Sequence, residues 1–464
     1  MEVVAIILSL VLLTLIAYRG YSVILFAPVC SLVAILVAGY DIMPAYTERF
    51  MPALANYVKS FFPIFLLGAV FGKVMEDTGA AASIARAISL KLGPDKAIIA
   101  TIATCLLLTY GGVSLFVVAF AAYPFAAALF RQANLPKRLI PGTIAAGAFG
   151  CTMTSIPGTP QIQNVIPTKY FGTDLYAAPV FGLIGAALMV GLALLWLNWH
   201  KNRMIANGEG YGTGHINEPT IDPNADLPNP WLSVLPLLAV LILNYVFTKL
   251  IPTWNESMFA MWGTASTLNT VKANWALIMA LVVGIVMSVA IGWKQLQGGE
   301  VNKLMVALNT GAIGSLLAVM NTASEVGYGN IISSLPGFKQ VVAFMGSIDP
   351  LGTPLVSESI AVNALAGITG SASGGMSIAL EAMGAQYLEW ATAVGVSPEL
   401  LHRVAAMSSG GFDTMPHNGA VITLLAICGM THKKSYPDIF MTSLVIPFVS
   451  TFIVIILGTL LGSF

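Results

Sequence analysis

The sequence predicts an all-α polytopic membrane protein made of two inverted-topology repeats. Three observations carry that prediction: the composition, a succession of apolar segments of bilayer length, and glycine/proline interruptions at matching places in the two halves. Of 464 residues, 57% are hydrophobic and 9% charged, against roughly 25% charged in soluble domains. So few charges cannot cover a water-facing surface, and the lipid bilayer becomes the expected solvent. The 21 basic and 21 acidic residues cancel, which argues against a nucleic-acid partner, since that requires a basic stripe. Cys30, Cys105, Cys151 and Cys428 lie far apart in apolar segments. They read as packing residues, without disulfide or metal spacing, and no cofactor is expected. Met1-Glu2-Val3-Val4 lacks the basic region of a cleavable signal peptide, so the first helix is expected to stay.

In order along the chain, spans are expected at 3–18, 21–40, 57–75, 139–164, 176–198, 231–251, 273–292, 303–324, 400–430 and 438–462. Segments 97–130 and 350–395 are apolar with a glycine break at the centre, and are read as re-entrant helical hairpins. Segments 139–164 and 400–430 are helical only if broken, at Pro157-Gly158 and at Pro416-His417-Asn418. The first repeat is therefore 1–198 and the second 231–464, joined by a polar linker at 199–230. With the N-terminus outside, 14 of the 21 basic residues face the cytoplasm, as the positive-inside rule favours. Both termini are then periplasmic in a bacterial inner membrane, and the linker is cytoplasmic. Five crossings per half is an odd number, so the halves must be inverted.

The repeat is visible in paired motifs. Gly111-Gly112-Val113-Ser114 corresponds to Gly374-Gly375-Met376-Ser377, Gly79 to Gly327, Pro136 to Pro398, and Pro157 to Pro416. Paired interruptions of this kind mark the binding site of a secondary transporter, where unwound helix ends present backbone groups to a solute. An N-terminal half-helix end suits a carboxylate and a C-terminal end suits a cation. The candidate substrate-binding residues are Gly111, Gly112, Ser114, Thr154, Ser155, Gly158, Thr159 and Gln161 in the first half. Those in the second are Ser373, Gly374, Gly375, Ser377, Thr414, His417 and Asn418. No Arg or Lys falls within either break. Glycines and hydroxyls can also serve helix packing alone, but four motifs at matching positions favour transport.

Charge at membrane depth is costly enough to mark function. Asp413 and Glu358 are the candidates for the coupling ion, a proton or sodium, whereas Glu325 and Glu381 read as helix ends at the interface. An intramembrane aspartyl protease would pair Tyr40-Asp41 with Gly411-Phe412-Asp413, but Asp41 closes its span and the second motif lacks the required glycine. A rhomboid-type protease leaves the repeat unexplained, and two inverted breaks with polar tips favour alternating access over the continuous pore of a channel.

The ordered motifs Leu67-Gly68-Ala69-Val70-Phe71-Gly72-Lys73-Val74-Met75, Thr78-Gly79, Leu139-Ile140-Pro141-Gly142, the Pro157–Pro160 break and Ser408 through Asn418 extend across nearly the whole chain. In this order they resemble the gluconate permease family of the ion transporter superfamily. The resemblance implies proton-coupled uptake of gluconate or a related hydroxy-monocarboxylate, a scaffold domain and a transport domain holding two hairpins, and a homodimer. Tyr110-Gly111-Gly112-Val113 and Ile156-Pro157-Gly158-Thr159-Pro160 are less polar than the sugar-acid members' equivalents. That leans towards the branch associated with 3-hydroxybutyrate.

Overall fold

A computed structural model describes residues 2–19, 21–219, 226–260, 266–297, 302–348, 350–416 and 418–462. All regular structure among them is helical. Six helices are long and apolar enough to cross a membrane: Ile42–Asp77, Pro179–Ala206, Pro230–Thr253, Leu268–Ile291, Lys303–Ser334 and His432–Leu461. Shorter apolar helices include Val23–Ala38, Val117–Gln132 and Leu355–Thr369. Apolar side chains such as Leu195, Leu235, Ile313 and Leu317 remain exposed along the long helices, as expected of surfaces that face lipid.

The two halves repeat the same element order. In each, two helices precede a long third helix, Ile42–Asp77 or Lys303–Ser334. A short helix follows (Ala80–Leu92 or Phe338–Ser347), then a hairpin, a broken helix and a final long helix. Ile42–Asp77 and Lys303–Ser334 pack directly on each other. Their closest approach is at Gly311, where a Cβ would lie 2.7 Å from the Val70 Cα, so glycine is what allows the backbones to meet.

Both long helices exceed their expected bounds. Ile42–Asp77 runs for 36 residues and includes a π-turn at Tyr46–Phe50, and Lys303–Ser334 runs for 32. Glu325 and Gly327 therefore sit inside a continuous helix. The counterpart of the Thr78–Gly79 turn is Leu335-Pro336-Gly337 instead, and Gly337 follows Gly79 by 258 positions. The same correction applies to the hairpins. Hairpin 1 pairs Ala97–Tyr110 with Leu115–Gln132 and turns at Gly111–Ser114. Hairpin 2 pairs Leu355–Thr369 with Ala372–Val394 and turns at Gly370–Ser371. Gly112 and Gly370 both have positive φ (96° and 65°) and are also 258 apart. Gly374 and Gly375 lie one turn inside the second arm. There a Cβ on Gly375 would collide with the Ala366 backbone, so this glycine lets the hairpin's arms close on each other.

The polar linker begins later than composition indicates, because Pro179–Ala206 continues as helix through 206. Its described part is strapped down. Glu209 accepts two bonds from Arg138 (2.7 and 2.8 Å), Lys137 pairs with Glu218 at 2.7 Å, and Tyr123 donates to the Asn217 carbonyl at 2.7 Å.

Candidate functional site

Both interrupted helices break as the sequence requires. In the first, Ile140–Ala148 and Cys151–Thr154 are followed by an unwound stretch, and helix resumes at Ile162–Phe171. Pro157 and Pro160 cannot donate to a continuing ladder, and Gly158 takes φ 81°. In the second, Pro398–Ser409 ends at Gly410-Gly411, a short 3-10 turn covers Phe412–Thr414, and helix resumes at Gly419–Ile427.

The N-cap residue of each resumed helix ties its break to its own hairpin. Gln161 Nε2 donates to the Thr109 carbonyl (2.8 Å) and the Val113 carbonyl (3.3 Å) of hairpin 1. Asn418 Nδ2 donates to the Gly370 carbonyl at the tip of hairpin 2 (2.7 Å), while its Oδ1 caps Ala420 N and Val421 N. Tyr110 adds a bond to the Pro157 carbonyl at 2.9 Å. Because unwound backbone at membrane depth must find partners within the protein, these amides set the position of both tips.

The two tips and two breaks open onto one cavity of about 580 Å³, within the range of small-ligand sites. Its walls include Gly112 and Ser114, Gln161 and Gln163, Ser371 and Ser373, and Asp413 and Asn418. The long helices close it with Gly68, Ala69 and Lys73 on one side and Thr310, Ser315, Asn321 and Thr322 on the other. The lining is largely apolar, and its polar groups are mainly neutral donors and acceptors. Gln163 Oε1 and Asp413 Oδ1 are buried and have no hydrogen-bond partner among the described residues. Lys73 is already paired, with Asp77 at 2.8 Å and Glu76 at 3.3 Å.

Of the residues singled out by sequence, Gly112, Ser114, Gln161, Ser373, Asp413 and Asn418 converge on this cavity. Others lie off its wall. Gly111 packs on Leu237, and Gly158 packs on Tyr176 while its N–H donates to the Leu175 carbonyl. The Thr154 hydroxyl bonds back to the Gly150 carbonyl (3.1 Å) and Ser155 Oγ faces the Met189 sulfur (3.4 Å). The Thr159 hydroxyl is buried. Thr414 bonds to the Gly411 and Ser443 carbonyls at 3.0 and 3.1 Å. Gly374, Gly375 and Ser377 sit in the first turns of the second arm, behind the tip. Glu358 is fully buried with both carboxylate oxygens unpartnered among the described residues, and it does not line the cavity. His417 lies outside the described residues.

Sequence reasoning missed the polar groups on the long helices. The pattern 310, 311, 314, 315, 318, 321, 322 places small and polar residues on one helical face, and that spacing would have found them. It also missed Arg403, one of the seven basic residues that the same charge count leaves on the outer side. Arg403 is completely buried and reaches across from the second broken helix to the first. Its guanidinium donates to the carbonyls of Thr154 (2.9 Å) and Ala177 (2.8 and 3.1 Å), and to Asn164 Oδ1 (3.0 Å). A fixed cation therefore does serve the first break, supplied from the other half. His402 beside it also faces Asn164 Oδ1, at 3.1 Å.

Paired hairpins meeting paired helix breaks around one membrane cavity define a polytopic transporter rather than an enzyme. The chain is 46% identical over 460 residues to the uncharacterized transporter YxjC of Bacillus subtilis (strain 168), covering 96% of each chain, and it belongs to that transporter's family. No family model matches. In fold it resembles the YdaH transporter of Alcanivorax borkumensis, whose structure is described as having an unusual topology (TM-score 0.61, 14% identity, 95% of this chain and 97% of that one). It also resembles MtrF of Neisseria gonorrhoeae, described as illuminating a class of antimetabolite efflux pumps (TM-score 0.52, 12% identity, 94% of each chain).

Proposed function

We propose that the protein is a secondary active transporter that imports a small hydroxy-monocarboxylate, 3-hydroxybutyrate- or gluconate-like, together with protons. It works by alternating access in a bacterial inner membrane, as a homodimer with both termini periplasmic. The observation that carries this reading is the cavity itself, where both tips and both breaks meet around neutral hydroxyls and amides and one carboxylate, Asp413, whose Oδ1 has no hydrogen-bond partner among the described residues. Neutral donors hold a carboxylate while allowing its release, whereas a free guanidinium would hold it more firmly. An ionised Asp413 would repel an anionic substrate, and charge at this depth is expensive. Proton binding at Asp413 removes both penalties at once, so substrate and proton load together. The proposed binding groups are Ser114, Gln161, Gln163, Ser371, Ser373 and Asn418.

Uptake by proteoliposomes, with pH and sodium gradients imposed separately over a panel of hydroxy acids, tests this reading. Uptake driven by an inward proton gradient and selective for short hydroxy acids is expected. Uptake that follows sodium and ignores pH would replace the proton by sodium. Accumulation only with the opposite polarity would make the protein an exporter.

A further inference from the structure

One turn beyond the cavity wall, three buried polar side chains come together without partners. Glu325, on Lys303–Ser334, is 1% exposed, and its Oε2 has no hydrogen-bond partner among the described residues. Its carboxylate nests against Gly374 of hairpin 2 so closely that a Cβ there would overlap it. Tyr57, on Ile42–Asp77, is completely buried, and its equally unpartnered hydroxyl lies beside Glu325, Ser377 and Thr322. Ser377 Oγ is the third unpartnered group. Among the described residues the titratable group facing Glu325 is Tyr57. The other neighbours, Thr322, Ser377 and Gly374, carry no charge. An ionised carboxylate with no cation facing it would be costly here; on the same helices Lys73 is paired with Glu76 and Asp77, while Arg49, Lys59 and Lys303 are exposed.

The Thr322 hydroxyl is 3.3 Å from Ser373 Oγ, which ties this cluster to the cavity edge. Half-buried Glu381 forms a separate group, accepting from the Tyr170 hydroxyl at 2.9 Å and from Asn330 Nδ2 at 3.3 Å.

We infer that Glu325 is a proton-binding site of its own, separate from Asp413. Gly374 is the lid of this site, because it belongs to hairpin 2 while Glu325 belongs to the helix against which hairpin 2 packs. Sliding of the hairpin would uncover the carboxylate. That last step rests on the alternating-access reading, whereas the proton site does not.

Infrared difference spectroscopy of the lipid-reconstituted protein during a pH step reads the site directly. The carbonyl band of a protonated carboxyl is expected in the wild type. One component of it should be lost in Glu325→Gln, shift in Tyr57→Phe and persist in Asp413→Asn. A band unchanged by Glu325→Gln, or a Glu325 component removed by sodium at fixed pH, overturns the inference. If Glu325→Gln fails to fold, Tyr57→Phe decides: an unshifted band overturns the inference and a shifted one supports it. Proton-to-substrate counting separates this inference from the proposed function. Wild-type transport that ignores pH gradients defeats proton symport while the band still upholds the site. Proton-driven transport with an unchanged band in Glu325→Gln defeats the site alone.

Discussion

The two helix breaks share a backbone plan and differ in charge. In each, the N-cap of the resumed helix reaches the tip of its own hairpin, Gln161 to Thr109 and Val113, and Asn418 to Gly370. The carbonyls around the first break, however, are held by a guanidinium that cannot titrate, Arg403. The second break instead carries Asp413, with one buried oxygen unpartnered among the described residues. One half is thereby fixed and the other is free to change its charge. The proposed coupling rests on the second break for that reason, with the Arg403-held carbonyls of the first as its rigid counterpart.

The largest effect expected from breaking this contrast is at Arg403. Arg403→Leu would leave the Thr154 and Ala177 carbonyls without the guanidinium's bonds, and Asn164 Oδ1 with His402 alone. Unpaired buried groups cost about 1–3 kcal/mol each, so a loss of roughly 2–6 kcal/mol is expected, a large fraction of a typical folding free energy. Thermal unfolding in detergent should show a strongly lowered Tm or failure to purify as a monodisperse species. Arg403→Lys keeps the charge without the planar fork and should fall between the two. A wild-type Tm for Arg403→Leu would mean that the guanidinium does not hold the first break.

Asp413→Asn comes next, because it makes the second break as untitratable as the first. One unit of imposed pH gradient supplies about 1.4 kcal/mol, or about tenfold accumulation for one proton per substrate. The variant should lose that accumulation and keep measurable counterflow. Continued concentration of substrate would pass the coupling role to Glu358, which is buried with both oxygens unpartnered among the described residues.

The contrast also explains what could be read in the sequence and what could not. Hairpins, breaks and repeat were legible because glycine and proline act locally. Gly112, Gly158 and Gly370 occupy positive φ, and Pro157 and Pro160 fall where the first broken helix unwinds. The motif register was less secure. Gly374-Gly375 looks like a tip, but it is a helix-packing pair selected by a neighbouring backbone that no local pattern reveals. Arg403 was hidden for the same reason. Its partners lie some 226–249 positions away, and a lone arginine in an amphipathic stretch resembles a surface charge until the fold closes over it. Glu325 was misread because the end of its helix was placed ten residues too early, which turned a buried carboxylate into an apparent interfacial one.

A smaller effect separates the two tethers. Gln161→Ala removes side-chain bonds to hairpin 1, worth about 1 kcal/mol net. Asn418→Ala removes a comparable bond to hairpin 2 and also an N-cap, which typically adds about 1 kcal/mol. Asn418→Ala should therefore lower stability about twice as much, as read by thermal unfolding. Equal losses would show that the cap contributes nothing and that the tethers are equivalent.

The smallest expected effect concerns the hydroxyls that the sequence pointed to most directly. Thr154 and Thr414 occupy matching places in the two breaks, yet neither hydroxyl lines the cavity. One bonds to the Gly150 carbonyl and the other bridges Gly411 to Ser443. Thr154→Val and Thr414→Val should therefore leave substrate affinity within about threefold of wild type, which is about 0.65 kcal/mol. Thr414→Val should cost the more stability, because it cuts a bond between the second break and the last helix, while Thr154 merely returns to its own turn. Ser373→Ala is the control that sharpens the comparison. Its hydroxyl does face the cavity, and losing one substrate hydrogen bond of about 0.5–1.5 kcal/mol would weaken binding roughly two- to twelvefold. Should Thr154→Val weaken binding more than Ser373→Ala, the Thr154 side of the first break would bind substrate as well as the Gln161 side.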